Sequence, residues 1–153
     1  MLAEFDMTDL GLLHYFLGLQ IIQNDLDIFI SQEKYACGLL KKINMFHCKT
    51  CSTLMNINDK LCLNDKTAKI NKHFYRNIVA GLMYLTHTHP DILFLVSMIS
   101  RFMQSLYVHH LGTTKRILRY VCDTINYRIL YQHVAEFYFL SLQIVIEQIL
   151  LMT

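Results

Sequence analysis

The side chains in this sequence best able to do chemistry are its cysteines, its histidines and two runs of cations. Cys48 and Cys51 make a Cys-x-x-Cys step beside His47, with Cys62 downstream, which is the first half of a thiolate zinc site. A zinc ribbon needs a second such step, and neither His47 nor Cys62 stands at finger spacing, so no metal ligand is assigned. His87 and His89 flank Thr88, and His109 and His110 are neighbours, but no nucleophile and carboxylate accompany them as a hydrolase would require. Two-metal phosphoryl transfer needs clustered carboxylates, and no two aspartates are adjacent anywhere in the chain. No catalytic residue is assigned. The cations remain: Lys41 and Lys42 with Lys34 in one segment, and Lys115, Arg116 and Arg119 in another. Facing phosphate, each can displace a counterion and give salt-dependent binding; facing water, they are solvated helix stripes.

Hydrophobic period indicates the elements that position these groups. Residues 15–23 and 28–31 read as the strands of a β-hairpin, with Asn24 and Asp25 supplying turn chemistry. Residues 32–45 place Tyr35, Leu39, Leu40 and Ile43 at helical spacing, with the lysines outward. Residues 46–72 are mostly polar without sustained period and read as a loop or linker. A helix follows over 75–87 with Ile78, Val79, Leu82 and Leu85 inward. Pro90 and Asp91 suit the first positions of another, running to about Met103 with Ile92, Leu95, Val96, Ile99 and Phe102 inward. A further helix over 108–121 turns Leu111, Leu118 and Val121 inward and Lys115, Arg116 and Arg119 outward. Residues 127–132 have strand character. The fold class is α+β, mainly helical.

The 153 residues suit one domain, and a hydrophobic content of 54% is ample for a core. A net charge of +2 is too small to imply nucleic-acid binding unless the cations cluster locally. An odd set of cysteines without a secretory leader predicts reduced thiols and an intracellular, non-secreted protein of unassigned compartment. Residues 92–100 are too short to span a bilayer, and 137–152 carry Gln143, Glu147 and Gln148, so no membrane partner is expected.

Five strings occur in one order: GLLHYFLG (11–18), ISQEKYACGLLKK (30–42), YRNIVAGLMYLTHTHPDI (75–92), ISRFM (99–103) and TKRILRY (114–120). This ordered series resembles the Pol polyprotein of copia-type LTR retrotransposons, in the stretch after the reverse transcriptase active-site hairpin and before the ribonuclease H carboxylates. The resemblance implies a partial reverse transcriptase domain over 1–139. Within it lie a hairpin and thumb-like helix (1–46), a polar linker (47–72), a connection-like helical region (73–124) and a terminal strand (125–139); a divergent tail (140–153) follows. It implies that Leu17, Gly18 and Leu19 pass close to a primer backbone, and that Lys41 and Lys42 belong to a duplex-holding thumb. The intact parent would be an RNA-directed DNA polymerase using Mg²⁺; no cofactor is expected in this chain, whose partners would be primer-template nucleic acid and the rest of Pol. The expected function is that of a truncated, catalytically inactive reverse transcriptase fragment retaining at most primer-template contacts. The alternative is a small basic helical nucleic-acid-binding module.

Relative to the family pattern, Leu54 and Leu106 replace proline, His89 replaces arginine and Asp123 replaces glycine, each reachable by a single transition of the kind cytosine deamination leaves. Thr50 and Ala80, in place of proline and glycine, need transversions. Asp123 is the change expected to matter most, because a glycine there would end the helix with a positive φ. After about Phe139 the family's acidic segment gives way to an apolar one, and a shifted reading frame near 138–141 would explain it. Such a tail, with strand-like 144–146, would be an aggregation liability.

Overall fold

The computed structural model describes residues 11–55, 61, 71–104 and 106–132. The divergent tail (140–153) falls outside these residues, as do 1–10, 133–139 of the terminal strand and most of 56–70.

The expected hairpin is present and is one step of a larger sheet. Strands β1 (Tyr15–Phe16), β2 (Leu19–Gln23), β3 (Asp27–Ser31) and β4 (Ile129–Gln132) pair antiparallel in that order. The 15–23 stretch is therefore two strands rather than one. Leu17 and Gly18 have φ of 48° and 80° and close the β1–β2 turn, with Phe16 opposite Leu19. Two positive φ values in a two-residue loop match the right-handed twist of the flanking strands. The β2–β3 turn is closed by the Asn24 N–H donating to the Asp27 carbonyl at 2.8 Å. β4 comes from far along the chain, setting Ile129 opposite Ile30 and Leu130 opposite Phe29.

Four helices make the core. Helix α1 (Glu33–Lys42) carries Glu33 in its first turn and Lys41 and Lys42 in its last, all complementary to the helix dipole. It stops short of the expected Met45 because Asn44 takes φ 55°. Asn44 N–H then donates to the Lys41 carbonyl at 3.1 Å and Met45 N–H to that of Leu40 at 2.8 Å, the paired bonds of a left-handed helix cap. Helix α2 (Lys72–Leu85) starts earlier than its apolar period indicates, because Asn71 Oδ1 accepts from the N–H groups of His73 (2.9 Å) and Phe74 (3.3 Å). Pro90 opens a single 3₁₀ turn (Pro90–Ile92) that leads into α3 (Leu93–Ser100). Helix α4 (Val108–Asp123) is the longest.

Helix α1 contacts α2 and α4, and α3 contacts the same two helices. Ala36 and Leu40 of α1 share one buried cluster with Ile78, Leu82 and Leu85 of α2, Leu95 and Ile99 of α3, and Leu118 and Val121 of α4. The helices before and after the 47–72 stretch thus have a common core. At the α1–α2 crossing Gly81 has no room for a side chain, since a Cβ there would come within 2.6 Å of Leu39 Cδ1. Part of the supposed polar stretch is structural: Phe46, Leu54 and Met55 pack half-buried against the cluster.

The inward face of α4 differs from its apolar reading. Leu111 is only half-buried, whereas His110, Thr113 and Thr114 are buried. Their polar atoms are satisfied within the chain: Thr114 Oγ1 donates to the His110 carbonyl at 2.8 Å, and His110 Nδ1 accepts from the Tyr107 N–H at 3.2 Å. The His110 ring stacks on Phe102 at 4.3 Å. Asp123 lies at the end of the helix and not in the left-handed region, so the expected strain at that position is absent.

Candidate nucleic-acid interface

The cations read from the sequence occupy two helices that both border the 46–53 segment. At the end of α1, Lys41 and Lys42 are exposed, and Lys41 Nζ stands 5.0 Å from the centroid of the Phe46 ring. On α4, Lys115 is exposed, while Arg116 and Arg119 are half-buried. Arg116 is committed to the segment: its Nε donates to the Thr53 carbonyl at 3.2 Å and an η-nitrogen donates to Thr53 Oγ1 at 2.5 Å. The Arg119 carbonyl accepts from the Cys51 N–H at 3.4 Å, leaving its guanidinium out of that bond. The three α4 cations are thus unequal. Lys115 and Arg119, four residues apart, lie on one stripe, and Arg116 anchors the neighbouring chain.

The electrostatics of this face register at Cys51. Its half-buried thiol is held below the ordinary thiol range chiefly by hydrogen bonding with Thr53, with the positive charges of Arg116 and Arg119 as lesser causes. Lys34 and Lys42 also edge an open cleft of roughly 520 Å³ between α1 and α2, lined in addition by Gly38, Asn77 and Gly81.

The other predicted contact, Leu17-Gly18-Leu19, forms the β1–β2 turn and the start of β2. Leu17 is 72% exposed. The backbone of this turn is docked on α2, where the Tyr84 hydroxyl donates to the Leu17 carbonyl. A Cβ on Gly18 would lie 3.1 Å from Tyr84 Oη. The close approach that Gly18 permits is therefore to Tyr84 of the same chain. Sequence reasoning did not find Tyr84, whose contact spans 67 residues.

His89 serves packing. His89 is 1% exposed, pairs its Nε2 with the Thr124 carbonyl at 3.2 Å and its Nδ1 with Thr88 Oγ1 at 3.1 Å; Thr88 in turn reaches Gln32 at 2.9 Å. This buried chain of polar groups ties the start of α1 to the end of α4. Among the described residues no cluster of His, Cys, Asp or Glu can hold a metal ion. The Asp91 carboxylate accepts from the Tyr120 hydroxyl at 2.5 Å, and Asp25 and Asp27 sit at the β2–β3 turn. Among the same residues no helix is long and apolar enough to cross a membrane.

No protein-family model matches the chain, and no solved structure gives a significant match. The chain is 41% identical over 124 residues to an uncharacterized mitochondrial protein of Arabidopsis thaliana, a match covering 80% of this chain and 51% of that protein. It is 38% identical over 126 residues to the retrovirus-related Pol polyprotein from transposon RE1 of the same plant, covering 82% of this chain and 9% of the polyprotein. It is 35% identical over 130 residues to the retrovirus-related Pol polyprotein from transposon TNT 1-94 of Nicotiana tabacum, covering 79% and 10%. The chain thus spans about half the length of the mitochondrial relative and about a tenth of the polyproteins. By these matches it belongs with the Pol polyproteins of copia-type retrotransposons, as a relative of one segment of them.

Proposed function

We propose that this chain corresponds to the primer-grip, thumb and connection region of a reverse transcriptase, does not incorporate nucleotides by itself, and holds primer-template duplex through Lys41, Lys42, Lys115 and Arg119. The observation that carries the reading is the placement of α1 and α4 cations on either side of one segment, in a chain related to Pol. Two helices presenting cations beside one another suit the paired backbones of a duplex better than a lone basic stripe would. The absence of an adjacent Asp-Asp pair supports the lack of nucleotidyl transfer.

The test is equilibrium binding of the purified chain to a primer-template duplex and to each of its single strands, with nucleotide incorporation assayed in Mg²⁺. The expected result is tighter binding to duplex and no incorporation. Equal affinity for single strands would favour a general nucleic-acid-binding module, and incorporation would overturn the catalytic half of the reading.

A further inference from the structure

We propose that the buried chain Gln32–Thr88–His89–Thr124 is a proton-operated relay, in which protonation of His89 reverses the hydrogen bonds that Thr88 makes between the start of α1 and the end of α4 and turns over the Gln32 amide. All four residues are buried, Gln32 and His89 being 0% and 1% exposed. Gln32 stands at the N-cap of α1 but gives the helix no side-chain cap; its amide is turned inward to Thr88 instead. Thr124 is the C-cap of α4, and its carbonyl accepts from His89 Nε2 at 3.2 Å and from the Tyr127 N–H at 2.9 Å.

The supply of donors fixes the charge. Thr88 has one hydroxyl proton, which it donates to Gln32 Oε1 at 2.9 Å, so toward His89 Nδ1, 3.1 Å away, its oxygen can only accept. The Thr124 carbonyl can only accept as well. Both ring nitrogens must then carry hydrogen, which makes His89 an imidazolium with its charge at the carbonyl end of α4, where the helix dipole favours it. In this arrangement Gln32 Nε2 is buried and finds no partner among the described residues. Turning the amide over puts that NH₂ on Thr88 Oγ1; Thr88 then donates to Nδ1, Nε2–H still donates to Thr124, and the same chain closes around a neutral ring. The two forms differ by one proton, exchanged between His89 Nδ1 and solvent, and both keep every link. The charged and titratable groups on the surrounding elements are Glu33 and Lys34 of α1, His87 and Asp91 on either side of the ring, Tyr120 and Asp123 of α4, and Tyr127. Asp91 is taken by the Tyr120 hydroxyl and His87 Nδ1 by the Tyr84 carbonyl, whereas both partners of the His89 ring are uncharged. The relay does not depend on the nucleic-acid reading.

The test follows the isotopically labelled full-length chain by NMR through a pH titration, reading the two ring nitrogens of His89 and the side-chain NH₂ of Gln32. The expected result is one inflection shared by Nδ1, which loses its proton as pH rises, and the Gln32 NH₂, with Nε2 protonated on both sides of it. In Thr88→Val, which keeps the side-chain shape and removes the hydroxyl, the Gln32 inflection should be lost. A Gln32 signal that ignores the His89 inflection, a neutral ring protonated on Nδ1, a ring held in one protonation state wherever the chain is folded, or a Gln32 inflection that survives Thr88→Val would overturn the proposal. If Thr88→Val does not fold, the wild-type titration alone decides.

Discussion

The helical cluster and the sheet both contain large apolar residues and are held together in different ways. Leu40, Leu82, Leu85 and Leu118 are each 0% exposed, whereas Ile22, Leu130 and Tyr131 in the sheet are 45%, 43% and 55% exposed. Ile22, Phe29 and Leu130 line up across three strands by register, yet two of the three remain open to solvent. The helices are held by burial of apolar area. The sheet depends on its backbone ladder and a few pins: the Tyr84 hydroxyl on Leu17, and the Lys34 N–H donating to Gln20 Oε1 at 3.2 Å. Apolar composition therefore does not locate the core here, whereas period combined with non-local packing does.

The largest test of that contrast is Leu82→Ala against Ile22→Ala in chemical denaturation. Leu82 is fully buried among four helices, so its truncation should cost about 2–5 kcal/mol, whereas the half-open Ile22 should lose about 1 kcal/mol or less. Equal losses would erase the distinction. Next in size is Gly18→Ala, which places a Cβ at positive φ and 3.1 Å from Tyr84 Oη. It should cost about 1–2 kcal/mol, felt as faster amide exchange in β1 and β2 with little change in the helices. Tyr84→Phe should cost about 0.5–1.5 kcal/mol alone and recover part of the Gly18→Ala loss in the double variant.

The helical unit also has a pH signature. Burial raises the phenols of Tyr75 and Tyr35, and burial together with Asp91 raises that of Tyr120. A folded-state pKa above the unfolded value means the folded chain keeps its proton longer. The contribution is therefore complete below the unfolded value of about 10 and is lost as pH climbs through the folded values. Stability measured by denaturation should be flat near neutrality and fall above that point, with Tyr75→Phe reducing the fall. A fall that begins near neutrality would contradict the assignment.

Periodicity carried most of the helical unit into view: α1, α2, α3 and α4 stand where Leu39, Ile78, Leu95 and Leu118 recur, and Pro90 marks a start as expected. Its errors were local chemistry overriding period, as where Asn71 starts α2 early and Asn44 ends α1 early. What was not legible was non-local. Nothing in 127–132 announces β3 as its partner, and no spacing rule places Tyr84 on Leu17. Among the five cations of the candidate interface, sequence alone could not separate Arg116, spent on Thr53, from Arg119. That requires knowing where residues 46–53 run.

The central claim is that Lys115 and Arg119 face nucleic-acid phosphate while Arg116 faces Thr53, and the salt dependence of duplex binding tests it most directly. Measured across a range of salt concentrations, the slope of log affinity against log salt should shrink by about 0.9 for Lys115→Ala and again for Arg119→Ala. For Arg116→Ala the slope should stay near wild type while stability falls. Slopes unchanged by all three substitutions, or changed most by Arg116→Ala, would contradict it.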